Sequence, residues 1–394
     1  MSVKLSSELR QALTRNRWSL PRALLPQLPH TRGFLSFEAD RGVQGLMLID
    51  PDMDPPVRIA SYDHRAMDES YLSSRLDEAI AYRKGLAAQD RLALGQEAAW
   101  RMVNETGDGL PGLAVDVYAR QALVHLYSGI WRSWMPRITN TLLQSGLVDG
   151  VYLTERKRGQ SRQSGAFVTG QRAEHDQVIA VEHGLKYIIR LAEGPATGLY
   201  LDQRENRRYL SSLTAEGSFL NTFSYTCSFS VAAACQGSAT LNVDLSKASL
   251  QRGRENFALN GIPSDNQRFL ADDVFSVLPR LIRRGERFHT VLLDPPTFAR
   301  FKKRTFSTER NYADLVALAA PLVEAGGHLV AFANTHRMSD EAWTEQVYKG
   351  VGAGRARFSP LTRPGQAPDF RFRDDDPGGH YLKGLILKAD GSSG

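Results

Sequence analysis

The sequence predicts an α/β protein in which a doubly wound, mostly parallel sheet follows a middle α+β domain and a small β-rich N-terminal domain. Three observations predict it. From about residue 191, short apolar runs alternate strictly with stretches of helical length, the rhythm of β-α-β units on a parallel sheet. Between residues 30 and 65, apolar runs such as Gly45-Leu46-Met47-Leu48-Ile49 are broken by Pro51, Pro55 and Pro56, as in a small β unit. The 394 residues also exceed what one core accommodates. The boundaries expected on these grounds are 1–66, 67–190 and 191–394.

Composition narrows the class. With 42% hydrophobic and 23% charged residues the chain reads as an ordinary soluble protein, and no apolar run is long enough to span a membrane. Two cysteines exclude a disulfide scaffold. Cys227 and Cys235, eight apart on one predicted helix, would sit about 12 Å from each other, too far to bridge, which fits a reducing cytoplasm. The 49 basic and 43 acidic residues leave +6, a balance that permits a nucleic-acid partner without requiring one.

The elements follow in order. Tyr71, Leu72, Leu76, Ile80 and Leu86 share one face of a helix over 68–94. A turn at Gly107-Asp108-Gly109-Leu110-Pro111-Gly112 leads into strands at 113–118 and 122–127, a helix over 135–145 and a strand at 150–154. In the last third, strands are expected at 219–223, 240–243, 268–271, 290–293 and 328–333. Helices are expected at 229–234 and at 247–259, the latter ended by Asn260-Gly261. Residues 355–358 and 380–387 suggest a late antiparallel hairpin.

Ligands of doubly wound sheets bind beyond the carboxyl ends of the strands. Here those ends carry acids: Asp244, with Leu245 beside it, after the second strand, Asp272-Asp273 after the third, and Asp294 after the fourth. A carboxylate at 244 suits the two hydroxyls of an adenosine ribose, and Asp272-Asp273 suit an adenine amino group. Acids after strands also cap helices, but recurrence at successive ends points to a nucleoside-bearing cofactor. No Gly-x-Gly-x-x-Gly grips a pyrophosphate, which favours S-adenosylmethionine.

Asp294-Pro295-Pro296-Thr297-Phe298 is the candidate active-site motif. Two prolines fix φ and remove two N–H groups, leaving carbonyl acceptors in a stiff frame. Asp294 adds a carboxylate, and Phe298 a face on which a flipped base can stack. The following run Arg300-Phe301-Lys302-Lys303-Arg304, with its bases and aromatics interleaved, suits RNA phosphate contact, as does a second cluster at Arg156, Lys157, Arg158 and Arg162.

At these residues the sequence resembles the ribosomal RNA large-subunit methyltransferases that join a PUA-like domain, a middle α+β domain and a class I, Rossmann-like S-adenosylmethionine-dependent domain. The matching segments are Gly107–Asp116, Gly198–Arg208, Asn221–Phe229, Asp272–Phe275, Asp294–Phe298 and Tyr381–Gly384; the first 60 residues match weakly. The resemblance implies that Phe223, Ser224 and Tyr225 line the methionine and ribose end of the cofactor, with Tyr200 covering it. It further implies that Asp244 holds the ribose, Asp273 lies at the adenine, Asp294 sits near the transferable methyl, and Asp202 and Arg204 shape the entrance. The implied partner is ribosomal RNA, and homodimers are frequent in the family.

Two departures matter. Cys227 stands where the family usually has glycine. The cytosine-C5 branch carries Phe-Ser-Cys-Ser at the end of the fifth strand, whereas this chain has Phe332-Ala333-Asn334-Thr335-His336. Cytosine C5 is a poor nucleophile and needs a thiolate adding at C6. The arrangement here is instead similar to the guanine-N7 branch, with Asn334 able to bond a base edge. The leading expectation is therefore methyl transfer to a base nitrogen of large-subunit ribosomal RNA. Cytosine-C5 methylation with Cys227 recruited as nucleophile is the competitor. A non-catalytic RNA-binding or assembly protein and a small-molecule methyltransferase are the readings from other classes.

Overall fold

A computed structural model describes residues 7–15, 17–27, 32–64, 66–155, 165–193, 196–214, 217–300, 305–354, 357–373, 376 and 379–390. The chain divides into two compact units, one of Met1–Val181, Ile189–Thr197 and Pro368–Gly379, the other of Glu182–Ile188, Gly198–Ala367 and His380–Gly394.

The first unit opens with helix α1 (Ser7–Thr14) and an antiparallel sheet of β1 (Ser19–Leu20), β2 (Gly33–Glu38), β3 (Gln44–Ile49) and β4 (Val57–Ser61), ordered β1-β4-β3-β2. Met47, Ile49, Val57 and Ile59 point to one face and bury Leu9 and Leu13 of α1. The three prolines fall in the β3–β4 connection. Helix α2 (Glu69–Ala88) starts where Asp68 accepts the Tyr71 N–H at 2.8 Å. A second sheet runs in chain order through β5 (Ala99–Asn104), β6 (Leu113–Tyr118), β7 (Gln121–Leu126), β8 (Gly150–Glu155) and β9 (Ala166–Gly170). Helix α3 (Met135–Gln144) carries the chain from β7 to the parallel β8. Gly109 and Gly112, at φ of 75° and 80°, make the turn before β6. β10 (Gln177–Glu182) and β11 (Leu185–Arg190) form a separate two-stranded ladder.

The second unit is doubly wound. After α4 (Arg204–Leu213) come β12 (Ser218–Thr222), α5 (Ser228–Ala234), β13 (Ala239–Asp244), α6 (Lys247–Leu259), β14 (Gln267–Ala271), α7 (Val274–Arg283) and β15 (Phe288–Leu293). A small hairpin of β16 (Phe298–Arg300) and β17 (Thr305–Ser307) follows, then α8 (Thr308–Ala319), β18 (Val323–Asn334), α9 (Asp340–Ala353), β19 (Phe358–Thr362) and β20 (Leu382–Ala389). The sheet order is β14-β13-β12-β15-β18-β20-β19, parallel from β14 to β18 and antiparallel at β20 and β19. Helices cover both faces, so the apolar runs are continuous. Val291 and Leu293 enter one core while Leu292, between them, enters the other with Phe219, Val330 and Phe332.

Several expectations shift: the helix expected over 68–94 ends at Ala88, and the strand expected at 355–358 runs instead over Phe358–Thr362. The strand at 219–223 ends one residue early, because Phe223 turns to a φ of 56° and the Ser224 N–H crosses to the Val243 carbonyl at 3.0 Å. The late strands β19 and β20 do pair antiparallel, but not as a hairpin: residues 363–381 lie between them, and Pro368–Gly379 belong to the first unit. Among the described residues no helix is long and apolar enough to cross a membrane.

Candidate active site

Chain order reverses between β12 and β15, which lie side by side, so the two crossovers leave in opposite directions and open a crevice at their carboxyl ends. The loop after β12 is shaped by three residues in the left-handed region, Phe223, Tyr225 and Cys227, at φ of 56°, 48° and 61°. Few side chains tolerate this conformation. The loop is tied down on both sides. The Tyr225 N–H donates to Asp244 at 2.9 Å, and the Thr226 hydroxyl to the Gly198 carbonyl at 2.5 Å.

Asp244 ends β13. One carboxylate oxygen accepts the Tyr225 N–H, the other the Ser246 N–H at 2.8 Å, and burial raises its pKa. Leu245 beside it is 54% exposed, an apolar platform at the rim. At the end of β14, Asp273 caps α7 through the Phe275 N–H at 3.0 Å. Asp272 pairs with Arg280, whose hydrogen bond holds its carboxyl below the usual range. Tyr200 and Tyr225 meet with ring centroids 5.3 Å apart.

Asp294 follows β15. Burial, then the charge of Asp202, raise its pKa to about 7. The Gln203 amide donates to it at 3.3 Å, and Asn206 fixes that amide by donating to its oxygen at 2.6 Å. Asn206 also donates to the Gly365 carbonyl at 3.0 Å. Asp202 is itself buried and accepts the Tyr381 hydroxyl at 3.0 Å. Arg204 is buried against Glu205, 3.0 Å away. Pro295 is buried, and the Thr297 hydroxyl donates to the Asn334 carbonyl, fastening the Asp294–Phe298 loop to the end of β18. Below it, Tyr312 donates to the Phe332 carbonyl at 2.6 Å. Phe298 is 56% exposed and Asn334 is exposed.

Phe223, Ser224, Tyr225, Asp244, Leu245, Asp294, Phe298 and Asn334 thus lie at or just beyond the strand ends, and Tyr200 and Asp202 come from the turn before α4, meeting Tyr225 and Tyr381. Asp272 and Asp273 also follow a strand end but are engaged by Arg280 and by the α7 cap. Gln203, Asn206 and Tyr312 have no expected role from sequence; Gln203 lies inside the Gly198–Arg208 segment, yet its partner Asp294 is 91 positions away. Arg156, Lys157, Arg158, Arg162, Lys302, Lys303 and Arg304 lie outside the described residues, as does the side chain of Arg300.

This combination defines a doubly wound domain with acid-tipped strands at the point where its chain order reverses. Residues 137–383 match the family described as S-adenosylmethionine-dependent methyltransferase. The chain is 30% identical over 345 residues to ribosomal RNA large subunit methyltransferase I of Shewanella denitrificans, covering 86% of this chain and 85% of that protein. It is 31% identical to the protein of the same name from Aeromonas salmonicida over 340 residues, 84% of each. A crystal structure of a methyltransferase complexed with SAH (S-adenosylhomocysteine) superposes with a TM-score of 0.88 at 26% identity, covering 98% of this chain and 99% of that one. The chain belongs to the S-adenosylmethionine-dependent methyltransferase family, and its cofactor is S-adenosylmethionine.

Proposed function

We propose that this enzyme methylates a base nitrogen of large-subunit ribosomal RNA, a position with the chemistry of guanine N7. The RNA substrate follows the names of the relatives. The observation that carries the choice of atom is the state of the two thiols. Cys227 is buried in the loop after β12, and burial pushes its pKa up to about 12. Cys235 is exposed, but it follows the last turn of α5, a helix running back from the crevice, and so stands away from the strand ends. The first offers no thiolate and the second is not at the strand ends, so neither is placed to attack cytosine C6.

The residues fit the cofactor. A pocket that raises the pKa of its own Asp294 through burial and a second carboxylate, Asp202, favours a cation beside them. When bound, S-adenosylmethionine supplies a methyl group on a positively charged sulfonium. Asp244, held by two backbone N–H groups, would accept the ribose hydroxyls; Leu245 would cover the adenine, with Asp272 and Asp273 at its edge; Tyr200, Phe223, Ser224 and Tyr225 would line the methionine end. Asp202 and Arg204 would shape the entrance.

A ring nitrogen brings its own lone pair, so the protein's task is to orient the base and compensate charge. Phe298 offers a stacking face, Asn334 hydrogen bonds to the base edge, and Pro295 a stiff support. Asp294, ionised above pH 7, balances positive charge developing on the base. Lys302, Lys303, Arg304 and Arg300, with Arg156, Lys157, Arg158 and Arg162, are the proposed phosphate contacts.

Transfer of labelled methyl groups to ribosomal RNA, followed by nucleoside mass mapping, tests this reading. The expected product is 7-methylguanosine, and the Cys227→Ser variant retains transfer. Labelled 5-methylcytidine would overturn the choice of atom. Labelling of small molecules with none of RNA would overturn the substrate.

A further inference from the structure

The first unit carries a group of cations with no part in the methyl-transfer site. Arg75 of α2 and Arg371 and Arg373 of the 368–379 segment stand over aromatic rings. The Arg373 guanidinium lies 4.4 Å from the Trp18 ring centroid, Arg371 lies 5.0 Å from Tyr82, and Arg75 lies 5.6 Å from Tyr71. Tyr71 is itself fixed, donating to the Ala60 and Gly109 carbonyls at 3.1 and 2.8 Å.

Among the described residues, carboxylates balance these charges only in part. Arg75 donates to Glu78 at 2.7 Å. Arg371 is 3.7 Å from Asp108, a carboxylate already taken by Arg83 at 2.7 Å and by the Asn104 N–H at 2.6 Å. Among the described residues no acid lies within ion-pair distance of Arg373; its sequence neighbours Asp374 and Asp375 lie outside them. The Nε atoms of Arg75 and Arg373 are buried without an acceptor. Burial and the charges of Arg371 and Arg75 lower the pKa of Arg373.

Buried N–H groups without acceptors are costly, and like charges held together add to that cost. An anion with several acceptor oxygens would relieve both, and the planar fork of guanidinium matches a phosphate. A guanidinium already stacked on a ring has also lost much of the side-chain freedom that binding would otherwise remove.

We propose that Arg75, Arg371 and Arg373 form a binding site for backbone phosphates of the RNA substrate. This rests on the RNA reading above and adds a contact point in the unit that does not hold Asp294. The test is a fluorescence-anisotropy titration of the full chain with a labelled transcript of large-subunit ribosomal RNA across a salt series. Calorimetry with SAH monitors the fold. The Arg371→Gln/Arg373→Gln variant is expected to bind the transcript at least about tenfold more weakly and to lose about 1.5 from the log–log salt slope, as for two phosphate contacts, with SAH affinity unchanged. If that variant also loses SAH, Arg75→Gln is measured instead, with a slope loss of about 0.8 expected. A parent that binds the transcript alongside variants of equal affinity and slope overturns the site and leaves the RNA reading standing. A parent that binds no transcript at low salt overturns both.

Discussion

The sulfur of Cys227 occupies the space into which a side chain on residue 253 would grow: a Cβ on Gly253 would lie 2.5 Å from it. Two positions 26 apart in sequence are therefore coupled. Cys227 holds a left-handed backbone where glycine would be unstrained, and its thiol fills the hollow that Gly253 leaves on α6. Cys227 in the loop after β12 and Gly253 on α6 are thus fitted to each other in packing.

Gly253→Ala is accordingly expected to destabilise the protein by about 1–3 kcal/mol through overpacking, despite alanine's better helix propensity. In a Cys227→Gly background the sulfur is gone, and the same change becomes neutral or stabilising. Denaturant melts of the four proteins measure the coupling; additive effects would show that the two residues do not share this space.

The Arg207–Glu182 pair is buried on both sides and bidentate, at 2.7 and 2.6 Å, with the guanidinium 5.7 Å from the Phe229 ring. Glu182→Gln leaves a buried cation without its counter-charge. The expected loss is about 3–5 kcal/mol, read from urea unfolding. Because Arg207 is also one of the charges that lower the Asp294 pKa, exchanging it for a neutral residue should raise the Asp294 titration further.

The legible parts of this chain are those written in local pattern. Strand and helix alternation after residue 191, the acids at strand ends, and the Asn260-Gly261 stop all depend on near neighbours in sequence. β5 was not legible, because Ala99-Trp100-Arg101-Met102-Val103-Asn104 breaks the alternation with Arg101, whose guanidinium is instead neutralised by Asp116 at 2.7 Å. Nor was the support of Asp294 by Gln203, or the arginine group of the first unit. Those depend on which distant segments the fold brings together, and a one-dimensional pattern carries no record of that. Arg371 and Arg373 carry no local signal of this kind, and it is the fold that sets them on Tyr82 and Trp18.

Asp294 makes a pH prediction with a definite sign. Its carboxyl titrates near pH 7 in the folded state, against the usual value near 3.8 unfolded. Well below pH 3.8 both states are protonated and folding carries no penalty. As pH rises from 4 to 7 the unfolded chain releases its proton first, and stability falls. Asp294→Asn should therefore be more stable than the parent by about 2–4 kcal/mol at pH 8 and equal to it well below pH 3.8. A pH-independent difference between the two melting curves would contradict this.

His328 acts in the opposite direction. It lies on β18 with Nδ1 buried and unpartnered, its ring edge-on to His289 at 5.2 Å and its strand partner Lys388 opposite. Burial, then the charges of His289 and Lys388, lower its pKa to about 4 from 6.5. Between those values the unfolded state binds the proton that the folded state refuses, so stability is lost as pH falls through 6.5 towards 4, by up to about 3 kcal/mol. Over the same interval Asp294 gains stability as pH falls, so in the parent the two contributions offset each other. Each substitution should unmask the other group. His328→Val leaves stability that rises as pH falls from 7 to 4, while Asp294→Asn leaves stability that drops. Urea unfolding of the three proteins between pH 4 and 8 measures both slopes, and parallel curves for all three would refute the opposition.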